Sequence, residues 1–315
     1  MAETVSRIYS NFRGVDFRGE EINLVRSPDA VNVWKDYKET ESIRTRPGVE
    51  LIGLSGAIIN GIFFYKGEMI VHAKDALGVF SNGSASKVLR IGLNNALSNA
   101  FVYEDIFYFK DGQNYLQYDG TTIKEVVGYI PTTSIARKPM GGGTKYEDVN
   151  MLSDYRINTF LATGADFDFF LDTINIDEDY EPIVKVNDEV VAASEYTVHY
   201  DEGRIQFHET PPEAPLTDGQ DNVSIEFRKT ITGYADKIRK CTLLQVFDNR
   251  VFFSGNDDYP NTVWHCSLDD PTYCSDLDYY HEGQDMAKVK GLVAGNNALW
   301  VFREPSQANT SVFYH

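Results

Sequence analysis

The chain has 315 residues and a formal net charge of -18. This charge argues against a cation-rich nucleic-acid surface, because sequence-independent DNA binding depends on Lys and Arg neutralising phosphates. The three cysteines predict no disulfide framework and reduced thiols in a protein made in the cytoplasm. With no apolar leader and no apolar run of about 20 residues, we expect neither a signal peptide nor a membrane-spanning helix. The 19 Phe and 19 Tyr, with 24 Gly and 11 Pro, favour a mostly β protein.

Residues 27–48, SPDAVNVWKDYKETESIRTRPG, allow two interpretations. A helix would begin with Ser27 as N-cap and Pro28 at the first helical position. A hairpin would instead use the alternation of Val31, Val33 and Tyr37, a polar KETES turn and a returning IRTRP strand. We expect the hairpin over 30–47, because IRTR alternates with period two and KETES interrupts any apolar helical stripe.

One hairpin pattern then recurs along the chain: a short apolar strand, a two-residue polar turn and a second apolar strand. It occurs at 62–72, 101–109, 244–253 and 292–302. The turn pairs are Lys66-Gly67, Glu104-Asp105, Asp248-Asn249 and Asn296-Asn297. Residues 100–127 continue as a four-stranded antiparallel meander, and four-stranded units repeating after some 40 to 50 residues are typical of β-propeller blades.

The repeat is interrupted in the middle of the chain. Residues 136–150 form a Gly-rich connector, and further strands follow at 166–172, 182–191, 196–209 and 222–229. The segment 209–221 is a polar loop, and 234–241 is a short helix. These strands predict a small β-sandwich inserted into the propeller.

The predicted fold class is therefore all-β: a propeller of four-stranded antiparallel blades, complete or incomplete, with an inserted Ig-like β-sandwich. The predicted divisions are an N-terminal extension and hairpin (1–50), a first propeller portion (51–144), the inserted sandwich (145–232) and a second propeller portion (233–315). The last unit ends at SVFYH without a closing strand pattern. Four units are few for a closed propeller. Either the chain is the N-terminal part of a longer protein or the propeller is completed in another way.

Clusters of metal-binding residue types do not match known sites. His265, Cys266, Cys274 and His281 lie close in sequence, but their spacing fits no structural zinc pattern. The acidic segment 172–182 lacks the glycine and the register of an EF-hand loop. We therefore expect no metal and no cofactor.

Candidate catalytic patterns are equally weak. MGGGT at 140–144 lacks the Gly-Lys-Ser/Thr ending of a phosphate loop and is better explained as a linker. Asp269 and Asp270, followed by Pro271, indicate a turn rather than a catalytic carboxylate pair. No Gly-x-Ser-x-Gly motif occurs. We expect a protein that is not an enzyme, with no catalytic residues.

The order of several short segments resembles a known family. These are NFRGVDF, NLVRSPDAVNVWKDY, IRTRPGVELI, DNRVFFSGNDDYPNTVWHCSLDDPTY and LVAGNNALWVFREPS. Together they resemble the nozzle or packaged-DNA stabilisation proteins of tailed phages, which are β-propellers that can carry an inserted β-domain. The matching positions are Gly14, Pro28, Ala30, Asn32, Arg46–Gly48, Asn249–Asn256 and Pro260–Trp264. The resemblance covers most of the chain outside 145–232, and family members are usually longer.

The resemblance implies a virion structural protein, made in the host cytoplasm and assembled in the tail or head–tail connector. It implies a ring, commonly of six subunits, that extends the DNA channel below the portal and helps retain and release packaged DNA. Expected partners are the portal or adaptor, other tail proteins and double-stranded DNA passing through the lumen without specific binding, with no membrane insertion. The acidic charge would reduce friction in such a channel. Two alternatives remain: a receptor- or carbohydrate-binding tail module with the inserted sandwich as its head, and a propeller glycoside hydrolase.

The N-terminal hairpin supplies the predicted interface residues, Trp34, Tyr37, Arg44 and Arg46. In the hairpin register Arg44 and Arg46 share a face and can meet carboxylates across the pair. The hairpin would either pair charges within one subunit or dock on the propeller or on an adjacent subunit, with Trp34 as the anchor.

Overall fold

The computed structural model describes residues 56–315 except 82–83 and 307–310, together with two short strands before them. The chain divides into two compact units, Met1–Leu54 and Ser55–His315. In the first unit, β1 (Val33–Lys35) and β2 (Ile43–Thr45) pair antiparallel. The hairpin is therefore confirmed for these residues.

The second unit begins with two consecutive four-stranded antiparallel sheets. Sheet A consists of β3 (Ile59–Tyr65), β4 (Glu68–Ala73), β5 (Ala76–Ser81) and β6 (Ser84–Ile91). Sheet B consists of β7 (Asn99–Tyr103), β8 (Ile106–Lys110), β9 (Tyr115–Tyr118) and β10 (Ile123–Glu125). In both sheets spatial order equals chain order, so the meander predicted over 100–127 is confirmed.

Two different sheets occupy the middle of the chain. Their strands are β11 (Thr132–Arg137), β12 (Thr144–Lys145), β13 (Tyr155–Phe160), β14 (Asp168–Phe170), β15 (Ile183–Val186), β16 (Glu189–Val190), β17 (Tyr196–His199), β18 (Arg204–Phe207) and β19 (Val223–Arg228). Sheet P has the order β12-β11-β13-β19-β15-β16, and sheet Q has the order β14-β18-β17. One core contains side chains from both sheets, including Phe160 and Phe227 from sheet P and Phe169 and Phe207 from sheet Q. We call these two sheets and their loops the segment 132–228.

After the short helix α1 (Tyr234–Arg239), the meander pattern returns. Sheet C consists of β20 (Leu243–Phe247), β21 (Arg250–Ser254), β22 (Thr262–His265) and β23 (Tyr279–His281). Sheet D consists of β24 (Val289–Gly295), β25 (Ala298–Arg303) and β26 (Val312–Tyr314). The predicted helix over 234–241 is confirmed.

Sheets A to D pack face to face in chain order. Phe107 and Phe109 of β8 lie in a core shared with sheet A, whereas Tyr108 between them lies in a core shared with sheet C. Because successive side chains of a strand point to opposite faces, each inner sheet contributes to two cores. The first strands of consecutive sheets, β3, β7, β20 and β24, are also neighbours in space. The four sheets are therefore arranged with their first strands next to one another.

The predicted turn chemistry is confirmed. Both residues have positive φ in the pairs Lys66-Gly67, Glu104-Asp105, Asn187-Asp188, Asp248-Asn249 and Asn296-Asn297. Positive φ at both central positions is the type I′ conformation, whose twist matches that of the flanking strands. These turns fix the register of their hairpins.

A buried lysine connects sheet B to helix α1. Lys110 is 2% exposed, and its Nζ donates to the carbonyl oxygens of Ile238 at 2.5 Å and Arg239 at 2.9 Å. The last carbonyls of a helix have no partner within the helix, so the ammonium group satisfies them. Burial lowers the pKa of Lys110 to about 8.

A buried amide joins the start of the segment 132–228 to the loop before β23. Asn150 Nδ2 donates to the carbonyls of Tyr129 and Thr272, both at 2.8 Å. Its Oδ1 accepts from the backbone N–H groups of Leu152 at 3.0 Å and Cys274 at 3.1 Å. All the hydrogen-bonding capacity of this buried side chain is used, so it fixes the relative position of these loops.

Several predictions are corrected. The connector 136–150 is partly ordered as a hairpin, since β11 and β12 flank its glycines. The strand β13, which no pattern had predicted, lies between β11 and β19, and it runs parallel to β11, unlike the antiparallel pairs of an Ig-like sandwich. The chain also ends in a strand after all, because β26 pairs with β25.

The cysteine prediction is wrong for two of the three residues. Cys266 and Cys274 form a disulfide, and only Cys241 is free. The two partners lie on either side of the tight turn Ser267–Asp270, which reverses the chain between them. In the part of the chain that the structure describes, no helix is long and apolar enough to cross a membrane.

Candidate functional site: two exposed sheet faces

The predicted hairpin residues are only partly covered by the structure. Trp34 and Arg44 are directly opposite each other on β1 and β2. Tyr37 and Arg46 lie outside the described residues. The role of this hairpin in assembly stays a prediction.

The face of sheet A that points away from sheet B is apolar. Two rows cross it: Phe64 is opposite Met69, which is opposite Phe80, and Ile62 is opposite Val71. The second row continues through Gly78 to Val88 on β6. We call Ile62, Phe64, Met69, Val71, Phe80 and Val88 face A. Phe64 is 72% exposed, and Ile62 and Val88 are also more than half exposed.

The face of sheet D that points away from sheet C has the same character. One row runs from Val293 to Trp300 to Tyr314, and the other from Phe302 to Val312. We call these five residues face D. Tyr314 is 71% exposed and packs against Trp300, with ring centroids 5.5 Å apart and planes tilted by 38°. Trp300 Nε1 donates to the Gly295 carbonyl at 2.9 Å.

Faces A and D resemble the covered faces inside the stack. The interface between sheets C and D, for example, contains the buried side chains of Phe252, Val263, Val289, Leu292, Leu299 and Val301. A row of aromatic and aliphatic residues on a strand exposes large apolar area unless another surface covers it, and such patches mark interaction sites. Sequence reasoning missed both faces because a strand that is apolar on both sides looks the same at the end of a stack as within it.

The residues considered for metal binding have structural roles. The Cys266–Cys274 disulfide removes both thiols as ligands. His265 and His281 lie on neighbouring strands, and the His281 ring contacts the Thr262 hydroxyl at 3.0 Å. Among the described residues, no group of three or more His, Cys, Asp or Glu side chains is placed to hold a metal ion.

The acidic and glycine-rich segments are also explained by local structure. In the segment 172–182, Asp177 accepts from Arg228 Nε at 2.8 Å and from the Thr230 hydroxyl at 2.6 Å. Asp270 accepts from the N–H of Thr272 at 2.8 Å, which is a turn contact, as predicted. The carbonyl of Gly142 accepts from Arg137 at 2.5 Å, so the glycine run closes the β11–β12 hairpin.

A cavity of about 490 Å³ lies in the segment 132–228, between sheet P and the polar loop 209–221. It is lined by hydroxyl, amide and carboxylate side chains with a few apolar ones, and no Lys or Arg is among them. Asp221 forms part of the wall, and its Oδ2 accepts from the Ala136 N–H at 2.8 Å and from the Thr159 hydroxyl. The absence of cationic groups from this wall disfavours anionic ligands.

Comparisons with known proteins give only distant likenesses. No family model matches the chain, and no curated protein matches it. Among solved structures, the chain is similar to the computationally designed protein Ika4, with 11% identity, a TM-score of 0.35 and coverage of 85% of this chain and 99% of that one. The designed protein Ika8 has 15% identity, a TM-score of 0.23 and coverage of 81% and 72%. The N-terminal domain of Nup159 has 10% identity, a TM-score of 0.20 and coverage of 84% and 76%. Likenesses at these TM-scores carry no argument about fold or function.

Proposed function

We propose that this chain is a non-enzymatic structural protein of a tailed-phage virion, a ring component that extends the DNA channel below the portal. The observation that carries the proposal is the stack of sheets A to D, which ends in two apolar faces that no other sheet of the described residues covers. A fold that exposes such faces at both ends is suited to assembly rather than to catalysis. The family is proposed because the matching segments, from Gly14 to the 292–302 hairpin, follow the same order as in phage nozzle proteins.

Sheets A to D are proposed to be blades of a β-propeller. Their antiparallel meander order, their face-to-face packing and the neighbouring first strands support this assignment. Sheets P and Q would then be a domain inserted between the second and third blades. Four blades leave the propeller open within the described residues.

The charge supports the proposed passage of DNA. A net charge of -18 repels phosphates, so a channel lined by carboxylates would hold DNA without binding it tightly. The proposal requires acidic side chains to be concentrated on the surface that faces the lumen.

Binding to the portal ring of the same virion tests this proposal. The purified full-length protein is mixed with portal rings and sedimented, and double-stranded DNA is tested in parallel by electrophoretic mobility. We expect co-sedimentation with the portal and no retardation of DNA. Failure to bind the portal, or DNA binding that weakens steeply with salt, would contradict the proposal.

The cavity in the segment 132–228 favours a second candidate function, a module that binds a receptor or a carbohydrate. Its wall of hydroxyl, amide and carboxylate groups suits a neutral ligand with several hydroxyls. A glycan array with the full chain tests it, with Gln220→Ala as the cavity variant and Asp218→Asn as a control in the same loop. Binding that is lost in the first variant and kept in the second supports this candidate, and an array without signal excludes it.

A further inference from the structure

We infer that His72 makes the packing of sheet A on sheet B sensitive to acid, because protonation of its buried imidazole favours a state in which the two sheets separate. This property goes beyond the proposed function and is independent of it, since it concerns one interface within a single chain.

The imidazole of His72 is buried where sheets A and B meet. His72 lies in β4, opposite Gly61 of β3 on one side and Leu77 of β5 on the other, and it is 0% exposed. Its ring packs on Phe109 of β8, with ring centroids 5.2 Å apart and nearly perpendicular planes. Phe109 is itself fully buried in the core that the two sheets share. The imidazole is therefore part of the interface.

Hydrogen bonds assign the neutral tautomer of this ring. His72 Nδ1 lies 2.9 Å from Ser98 Oγ, and the Ser98 hydroxyl donates to the Asn60 carbonyl at 3.4 Å. A hydroxyl group has one hydrogen to donate, so the Nδ1–H of the imidazole donates to Ser98. Nε2 then carries no hydrogen, and it is buried without a hydrogen-bond partner among the described residues.

A second proton on this ring has nowhere favourable to go. It would bind to Nε2 and create both a positive charge and an N–H donor that faces no acceptor among the described residues. A buried charge is costly unless it is paired and hydrogen-bonded. Separation of the sheets removes this cost, because water can then hydrate the imidazolium.

Two carboxylates act on the ring from neighbouring elements, Asp111 after β8 and Asp75 in the turn between β4 and β5. Burial lowers the pKa of His72 below 6.5, and this effect outweighs the attraction of the two carboxylates and of the Lys74 carbonyl. The Asp111 carboxylate is also engaged elsewhere. It accepts from the backbone N–H groups of Asn94, Gln113 and Asn114 and from the side-chain amide of Asn114.

The direction of the pH effect follows from these contacts. An imidazole exposed by opening regains the ordinary pKa of about 6.5, so below this value the open state binds more protons than the packed state. Between pH 7.5 and pH 5.5 the equilibrium constant for opening should therefore rise by about fivefold to tenfold. Ordinary carboxylates, with pKa values of about 4, stay ionised throughout this window.

Hydrogen exchange measured by mass spectrometry tests the inference. We expect the protection of β4 and β8 amides, corrected for the intrinsic exchange rate, to fall by about fivefold to tenfold from pH 7.5 to pH 5.5. The amides of β13 in sheet P serve as the internal reference and should change by less than about twofold. No change in β4 and β8, or an equal change in β13, would overturn the inference.

A pair of variants identifies the responsible group. His72→Asn keeps an amide that can reach Ser98 but does not titrate, so it should abolish the pH dependence of exchange in β4 and β8. His208→Asn is the matched control, because His208 is exposed beside sheet Q, and it should behave like the wild type. A His72→Asn protein that keeps the wild-type pH dependence would show that another group is responsible.

An NMR titration of the wild-type protein with isotope-labelled histidine needs no variant to fold. At pH 7.5 the His72 ring should give the nitrogen shifts of the Nδ1–H tautomer, and its titration midpoint should lie below 6.5. A midpoint at or above 6.5 would overturn the inference, because the packed state would then hold the proton at least as well as the open state. None of these outcomes bears on binding to the portal, which tests the proposed function separately.

Discussion

Phe252 and Phe253 are consecutive residues of β21, and their side chains lie in two different cores. Phe253 packs with Tyr115 of sheet B, with ring centroids 5.5 Å apart and nearly perpendicular planes. Phe252 packs with sheet D in the next core. These two residues show how the sheets pack: successive side chains of a strand point to opposite faces, so sheet C contacts sheet B on one face and sheet D on the other.

Truncation of Phe253 tests this arrangement. We expect Phe253→Ala to lower the free energy of unfolding by about 3–5 kcal/mol, because it leaves a large cavity between sheets B and C. The same substitution at exposed Phe64 should change the stability of the monomer by less than about 0.5 kcal/mol. Urea denaturation of both variants at low protein concentration measures the difference. Equal losses would contradict the assignment of Phe253 to a core and Phe64 to a free face.

The buried Lys110 predicts a pH dependence of stability. Its pKa is about 8 in the folded protein against an ordinary value of 10.5, so between these values the unfolded chain binds more protons. Stability therefore rises with pH above 8, by about 1 kcal/mol for one pH unit. Burial raises the pKa of Cys241 from 9.0 to about 12, which opposes this rise above pH 9.

The useful window for this measurement is therefore pH 8 to 9. Thermal or urea unfolding should show higher stability at pH 9 than at pH 8 for the wild-type protein. Lys110→Met should abolish the difference, whatever its effect on the absolute stability. A variant that keeps the wild-type slope would show that another group is responsible.

The Glu104-Asp105 turn offers a stabilising substitution. Both residues have positive φ, which Glu adopts only with strain. The double change Glu104→Asn and Asp105→Gly should raise the free energy of unfolding by about 1 kcal/mol. Asn297→Gly in the Asn296-Asn297 turn is the control and should have a smaller effect, because Asn already tolerates this conformation. A loss of stability in the double variant would argue against the type I′ turn.

Salt should strengthen the self-association that the proposed ring requires. Each chain carries a net charge of -18, so copies repel one another at low ionic strength. Salt screens this repulsion and does not weaken apolar contacts. Sedimentation at increasing NaCl concentration should show tighter assembly. Dissociation on adding salt would indicate contacts based on ion pairs instead.

Local patterns predicted much of this fold. Turn pairs such as Asp248-Asn249 carry their own conformational preference, and the alternating strands around them follow from period-two sequences. The short helix and most strands of sheets P and Q are also predictable from local sequence patterns. These features depend on residues that are close in sequence.

Features that depend on distant residues were not visible. The strand β13 reads YRINTF, with polar and apolar residues mixed, and becomes a central strand only through pairing with β11 and β19. The Cys266–Cys274 bond required knowledge of the fold of the loop between them. Face A and face D were hidden because sequence does not tell which side of an apolar strand has a neighbour.

Electron microscopy of the purified protein, alone and mixed with portal rings of the proposed virion, is the decisive measurement for the proposed function. We expect a ring of copies, six by the family resemblance, placed below the portal, with acidic side chains lining the channel. A protein that stays monomeric beside the portal, or a ring whose channel is lined by Lys and Arg, would contradict it.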